Sequence, residues 1–264
     1  MNWLCNLLGN TAFLTVITGT LVFVLGQFFL EFVLRPIRKY KELKAEVAFC
    51  LRLYRAKFIN CVLDEPAQKA AKELAAKLLC DKAFYDQSGG GVTYSGGEAA
   101  LQADFFLEAT ETLKVESIHI ALDTSGHVPW DKLEPLVKAV DLVLYDIKTI
   151  DSEIHRRYTG ADNLLVLNNA QNIAQMQKEM IIRLLMVPGV NDGEKDIEDR
   201  LRFIRDLGNV SRVDVLKYHR LGSGKYKRLG LNEPMGDTPV CSDESAGNIE
   251  RKASDMGLNV TIGS

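Results

Sequence analysis

The sequence predicts an α/β protein built on a parallel sheet, carried behind one transmembrane helix and a helical linker. A long uncharged run opens the chain, and after about residue 80 short β-forming stretches alternate with stretches of helical period. Polar side chains recur just past the ends of the β-forming stretches. Strands that alternate with helices imply parallel pairing through helical crossovers.

Composition sets the outer bounds. The chain has 264 residues, 47% of them hydrophobic and 25% charged, with a net charge of -3. These values suit a folded protein and lack the basic surplus expected of a nucleic-acid partner. Of 20 glycines only Gly9, Gly19 and Gly26 precede residue 80. The chain therefore divides into a span (residues 1–34), a juxtamembrane helical segment (35–79) and an α/β part (80–264).

No charged side chain occurs from Met1 to Leu30, and Ala12 to Leu30 is long enough to cross a bilayer as a helix. The run has neither the basic start nor the small-residue cleavage site of a signal peptide. Arg35, Arg38, Lys39, Lys41 and Lys44 follow it at once, so the positive-inside rule places the rest of the chain in the cytoplasm. From Tyr40 to Asn60, Leu43, Val47, Leu51, Tyr54 and Phe58 form one apolar stripe, which fits a juxtamembrane helix lying on lipid or on a partner, or equally a solvated helix packed on its own protein. Asp64 then caps a helix with Pro66 in its first turn, running to Leu79.

In the α/β part the spacing predicts strands at Gly91–Tyr94, Ser117–Leu122, Leu142–Ile147, Ile181–Val187, Val213–Leu216 and Leu258–Ile262. Helices are expected over Ala100–Lys114, Leu133–Val140, Asn168–Lys178 and Ile197–Leu207. Glu98, Asp123, Asp146, Lys148, Asn191 and His219 all fall at or just past the carboxyl ends of strands, where barrels and open α/β sheets place their ligands.

The run SGGGVTYSGGEAALQ, Ser88 to Gln102, is the stretch of greatest chemical interest. Its glycines permit tight turning or close approach. Ser95, Gly96, Gly97 and Glu98 stand where a strand hands over to a helix, leaving bare backbone and a carboxylate for a ligand bearing an amine; a plain tight βα connection is the alternative. The loop is neither a Walker loop nor a dinucleotide fingerprint. Cys5, Cys50, Cys61, Cys80 and Cys241 are scattered without a CxxC pair, so zinc knuckles and disulfide frameworks are excluded and each thiol reads as a small buried hydrophobe.

The runs GGGVTYSGGEAALQ, IHIALDTSGH, VDLVLYDIK, IIRLLMVPGVND and LKYHRLGSGKYKRLG together resemble the glycyl-radical-enzyme activating enzymes. These form the pyruvate formate-lyase activase group of the radical S-adenosylmethionine (radical SAM) superfamily. The resemblance implies a partial (β/α)6 barrel, S-adenosylmethionine as cofactor and a glycyl-radical enzyme as partner. It implies that Ser95, Gly96, Gly97 and Glu98 hold the methionyl amine. Lys148 and Arg183 would touch the methionyl end, and His219 the nucleoside side. Asp123, Thr124 and Asp146 would hold a monovalent cation, with Asp146 and Lys148 nearest the chemistry. His119, His127 and His155 read as loop or surface residues.

One departure dominates. The family holds a [4Fe-4S] cluster on CxxxCxxC just after its first barrel strand, and this sequence has no such run. The expected fold is thus an incomplete barrel missing its first βα unit, with the edge of the Gly91–Tyr94 strand bared unless the Pro66–Leu79 helix or a partner covers it. The chain is expected to be inactive by itself. The rival readings are a membrane-tethered binding module without catalysis and a junction of two unrelated genes.

Overall fold

The structure is a computed structural model that describes residues 65–220, 230, 235 and 237–263. The expected span, the stripe from Tyr40 to Asn60, the Asp64 cap and Cys5, Cys50 and Cys61 lie outside these residues. Among the described residues no helix is long and apolar enough to cross a membrane.

Helix α1 (Glu65–Leu79) begins with Pro66 in its first turn, where a missing N–H costs nothing, and carries Glu65 at the start and Lys77 at the end, matching the helix dipole. Its buried residues Ala67, Ala71, Leu74 and Ala75 recur at helical spacing. Helix α2 (Lys82–Ser88) stops at Gly89, whose left-handed φ of 65° closes the last turn. Strand β1 (Gly91–Tyr94) leads through a 3-10 turn (Ala99–Gln102) into α3 (Ala103–Val115). There follow β2 (His119–Thr124), α4 (Trp130–Ala139), β3 (Leu142–Asp146), α5 (Ser152–Thr159) and α6 (Leu164–Gln175). The chain continues with β4 (Met180–Met186), α7 (Glu194–Leu207), β5 (Val210–Lys217), α8 (Asp243–Asp255) and β6 (Val260–Gly263).

The strands make one parallel sheet of six in chain order, β1 to β6. The expected α/β class and the position of each expected strand hold, with ends shifted by a few residues. Three helices were not expected, and each has a local cause. In α5 the Asp151 carboxylate accepts the N–H of Glu153 and Ile154 at 2.8 and 2.9 Å, a cap that needs no apolar stripe. In α8 Ser242 accepts from the Ser245 N–H at 3.1 Å, and the buried Ala246, Ile249 and Ala253 are mostly too small to read as a stripe. Helix α2 buries none of its residues, so it has no apolar period to detect.

Side chains alternate across each strand. Tyr94, Ile120, Leu122, Val143, Tyr145, Ile182, Leu184, Val213 and Val215 point to the helical side and are buried. Helices α1, α3, α4, α6, α7 and α8 lie side by side on that layer, each touching the next. The α1 helix packs on α3, where Lys72 meets Glu108 at 3.1 Å; among the described residues β1 is hydrogen-bonded to β2 alone. The opposite side carries Asp123, Asp146, Arg183, Arg212 and Asp214, all half-buried.

Two glycines are required by close approach. A Cβ on Gly91 would overlap the His119 carbonyl across the β1–β2 pair. One on Gly126, at φ 69°, would overlap the ring and hydroxyl of Tyr145, which is fully buried and donates to the Val166 carbonyl at 2.6 Å. On the inner face Asp214 ties β5 to β6, accepting from Arg212 Nε at 2.6 Å and from Thr261 Oγ1 at 2.5 Å. Burial alone would raise the Asp214 pKa; the hydrogen bonds from Arg212 and Thr261 and the charges of Arg212 and Arg183 outweigh it and hold the carboxyl below its usual range.

Gly126→Ala is expected to lower the unfolding free energy by about 3 kcal/mol in urea melts. Gly97→Ala, with nothing within 4 Å of the added methyl, should stay within about 0.5 kcal/mol of wild type. Because the Asp214 pKa is depressed in the fold, its contribution is complete above the unfolded value of about 3.9 and disappears as pH falls through the folded value. Asp214→Asn should therefore cost about 1–3 kcal/mol at neutral pH, with the gap to wild type closing below about pH 4; an equal gap at both ends of the range would contradict the assignment.

Candidate functional site

The register of the parallel strands places the site. Asp146 lies opposite Arg183 on β4, and Arg183 lies opposite Asp214 on β5. Tyr94 lies opposite Leu122, so Ser95 comes level with Asp123 one step further on. A row of polar groups therefore runs along the inner face where β1, β2 and β3 end.

Arg183 sits at the middle of that row. Its Nε donates to Asp146 Oδ1 at 2.8 Å and its Nη2 lies 2.7 Å from the same oxygen. Its Nη1 donates to Asp123 Oδ2 at 3.2 Å, and Nη2 also bonds Asp123 Oδ1. Ser95 Oγ donates to Asp123 Oδ2 at 2.7 Å, and Lys148 Nζ reaches Asp146 Oδ2 at 3.3 Å. The order along the rim is thus Ser95, Asp123, Arg183, Asp146, Lys148. Burial pulls the Arg183 pKa down, but Asp146 and Asp123 outweigh it and hold it above the ordinary arginine value. The four charged side chains keep 20–33% of their surface exposed, so one side of the row faces open space.

Glu98 is placed differently from expectation. Its Oε1 accepts from Thr124 Oγ1 at 2.7 Å and from the Ala100 N–H at 3.3 Å; its Oε2 accepts from the Ser125 N–H at 3.0 Å and from Ser125 Oγ at 2.7 Å. The carboxylate thereby caps the 3-10 turn and clamps the loop after β2 to the loop after β1. Thr124 Oγ1 is also taken up by the Gly126 N–H at 2.9 Å. Gly96, at φ 133°, and Gly97 are exposed, and a Cβ on either would meet nothing within 4 Å. Their bare backbone is the open part of the turn. His219 is exposed just past the end of β5.

Asn191 lies at a strand end but does not face the rim. Its Nδ2 donates to the carbonyls of Lys148 at 2.6 Å and Leu185 at 2.7 Å, and its Oδ1 accepts the Val187 N–H at 2.7 Å. The fully buried Arg200 joins it, pairing with Asp196 at 2.8 Å and donating to the Asn191 carbonyl. Asp196 in turn accepts from Thr149 Oγ1 at 2.5 Å. This cluster staples the loop that carries Lys148 to the end of β4 and to α7. Burial lowers the Arg200 pKa, and Asp196 offsets it only in part. His155 is a second correction, buried on α5 with Nδ1 2.7 Å from the Ala161 carbonyl; His119 and His127 are exposed as expected.

The sequence reading missed Ser125, Arg200 and Asp214. The alternation Arg212-Val213-Asp214-Val215 carried a signal for Asp214, since charge alternating with β-branched residues marks a strand with one polar face. Arg200 carried none, being one basic residue on a charged helix. Of the cysteines, Cys80 is exposed, and Cys241 is buried with its thiol pKa pushed up by burial. Among the described residues no set of three or more His, Cys, Asp or Glu side chains is placed to hold a metal.

Residues 49–204 match the model of the radical SAM superfamily, a match that begins ahead of residue 80 and takes in α1. The choline trimethylamine-lyase activating enzyme of Oleidesulfovibrio alaskensis is 36% identical over 186 residues, 69% of this chain and 60% of that protein. The pyruvate formate-lyase-activating enzyme of Staphylococcus aureus is 37% identical over 190 residues, 69% of this chain and 76% of that one. Among solved structures, a domain of the pyruvate-formate lyase-activating enzyme from Bacteroides vulgatus superposes with a TM-score of 0.57 at 27% identity, over 67% of this chain and all of that one. A radical SAM methyltransferase from Sphaerobacter thermophilus shares the fold, with a TM-score of 0.53 at 18% identity over 73% of this chain and 57% of that one. A parallel sheet with its polar row at the strand ends, a Gly-Gly-Glu turn and these matches agree: the chain belongs to the radical SAM superfamily and is a glycyl-radical activase-like member of it.

Proposed function

We propose that the chain provides the S-adenosylmethionine-binding rim of a glycyl-radical-enzyme activase and that it does not cleave the cofactor by itself. The observation that carries the binding half is the open Gly96-Gly97 backbone standing beside the charged row from Asp123 to Lys148. A cofactor with an amine, a carboxylate and a sulfonium needs bare backbone, carboxylates and a cation close together, and this rim offers all three. Ser95, Gly96 and Gly97 face the methionyl amine with their backbone and hydroxyl. Lys148 presents its ammonium to the methionyl carboxylate, and His219 meets the nucleoside side. Glu98 and Arg183 hold the two loops in register around them.

The inactive half rests on the cysteines. In the superfamily the [4Fe-4S] cluster supplies the electron that splits the sulfonium bond. The sequence has no CxxxCxxC run, and the missing piece is read as the first βα unit of the barrel, ahead of β1. The Met1–Leu30 run, free of charge, reads as a single span that leaves the rim on the cytoplasmic side of a lipid bilayer. A non-catalytic, membrane-tethered binding module is the form this reading takes if no cluster assembles. The partner whose glycine would be activated is a glycyl-radical enzyme, by the kinship of the activases above.

Anaerobic reconstitution of the full chain with iron and sulfide is expected to leave well under one iron per chain; about four, with a paramagnetic signal that shifts on adding S-adenosylmethionine, would overturn the inactive half. Calorimetric titration with S-adenosylmethionine tests the binding half. Saturable binding is expected, weakened about tenfold or more by Gly97→Val, since a branched side chain would fill the open turn. A folded wild-type chain that binds nothing would remove the binding reading, and an aggregated one would favour a junction of unrelated genes.

A further inference from the structure

The monovalent cation implied by resemblance would draw on the oxygens of Asp123, Thr124 and Asp146, and each of these is already in a hydrogen bond. Both oxygens of Asp123 are bonded, Oδ1 to Arg183 and Oδ2 to Ser95 and Arg183. Asp146 gives Oδ1 to Arg183 and Oδ2 to Lys148. Thr124 Oγ1 donates to Glu98 at 2.7 Å and accepts from Gly126 at 2.9 Å. A loosely held alkali cation would therefore have to share every one of these oxygens with an existing hydrogen bond, and the donor set fits it poorly. The guanidinium lies between the two carboxylates and pairs with both.

We propose that Arg183 is the rim's own counter-cation, a covalently attached group that takes the place of a monovalent ion between Asp123 and Asp146. Chemistry favours the exchange. A guanidinium is planar, stays charged and presents several N–H groups in a fixed fork, so it can satisfy two carboxylates at once. An alkali ion would have to displace both sets of bonds and leave a half-buried guanidinium without its partners, which is costly. Removing the guanidinium while keeping its bulk should open the site, because Asp123 and Asp146 then face each other without a positive charge between them and draw in a cation from solution. The inference does not depend on cofactor binding, and it can be read on the free chain.

The test is urea unfolding of the full chain at constant ionic strength in potassium, sodium and tetramethylammonium chlorides, the last being too bulky to enter. Wild type is expected to show the same midpoint in all three. Arg183→Met is expected to gain a saturable stabilisation in potassium or sodium, about tenfold in the folded-to-unfolded ratio when the salt stands at ten times its dissociation constant. A saturable, ion-selective effect on wild type would overturn the proposal, and so would a folded Arg183→Met chain indifferent to the ion. An Arg183→Met chain that folds in potassium but not in tetramethylammonium would support it. If that variant folds in none of the salts, Arg183→Lys decides: its shorter point charge cannot bridge both carboxylates, so an ion-selective response supports the proposal and indifference overturns it.

Discussion

The bond set made by one guanidinium governs the functional end of this molecule. Arg183 reaches from β4 to Asp146 on β3 and on to Asp123 on β2, so a single side chain spans three strands of the sheet. Two carboxylates sheltered on either side of one site would repel each other if nothing positive stood between them. With Arg183 in place each carboxylate has a positive partner, and the charge of the guanidinium is itself secured by them. Loss of one member of such a half-buried set leaves the others unpaired, which costs more than the pair gains. The rim is therefore one unit: Ser95 is held by Asp123 and Lys148 by Asp146, so both inherit their positions from the arginine.

Two further devices hold this unit at the edge of the sheet. On one side the Glu98 carboxylate clamps the loops after β1 and β2, which leaves Gly96 and Gly97 open rather than collapsed. On the other, Asn191 and the buried Arg200 bind the Lys148 carbonyl and fix the loop after β3 against β4. Buried polar clusters of this kind are stable when every member is satisfied and costly when one is removed. The helical layer beneath contributes the apolar burial, and the polar row depends on it only for strand register. Division of labour between the two faces follows from the two-residue period of the strands.

Much of this was legible in the sequence. The strand positions followed from β-forming runs bounded by turns, and polar residues at strand ends marked the rim before any geometry was known. Which of those residues faced outward was not legible. Asn191 and Glu98 stand at strand ends like Asp123 and Asp146, yet their side chains are spent on backbone groups and loop hydroxyls, a choice made by loop shape rather than by residue type. Asp214 and Arg200 escaped for another reason: neither occupies a strand end, and each sits beside an acid or base of opposite charge, Arg212 and Asp196, as an ordinary ion pair would. The helices α5 and α8 depend on the caps Asp151 and Ser242, whose effect a search for apolar period does not register. The absent cysteine run is a property of the sequence itself and was visible from the start.

A double-mutant cycle between Arg183 and Asp123, measured by urea unfolding with Arg183→Met, Asp123→Asn and the pair, tests most directly whether the rim is one unit held by the guanidinium. The account predicts a coupling of about 1–3 kcal/mol, because the two groups meet through two hydrogen bonds in a half-buried site. Additive single effects, with a coupling near zero, would mean that the strands hold the rim without Arg183 and would contradict it.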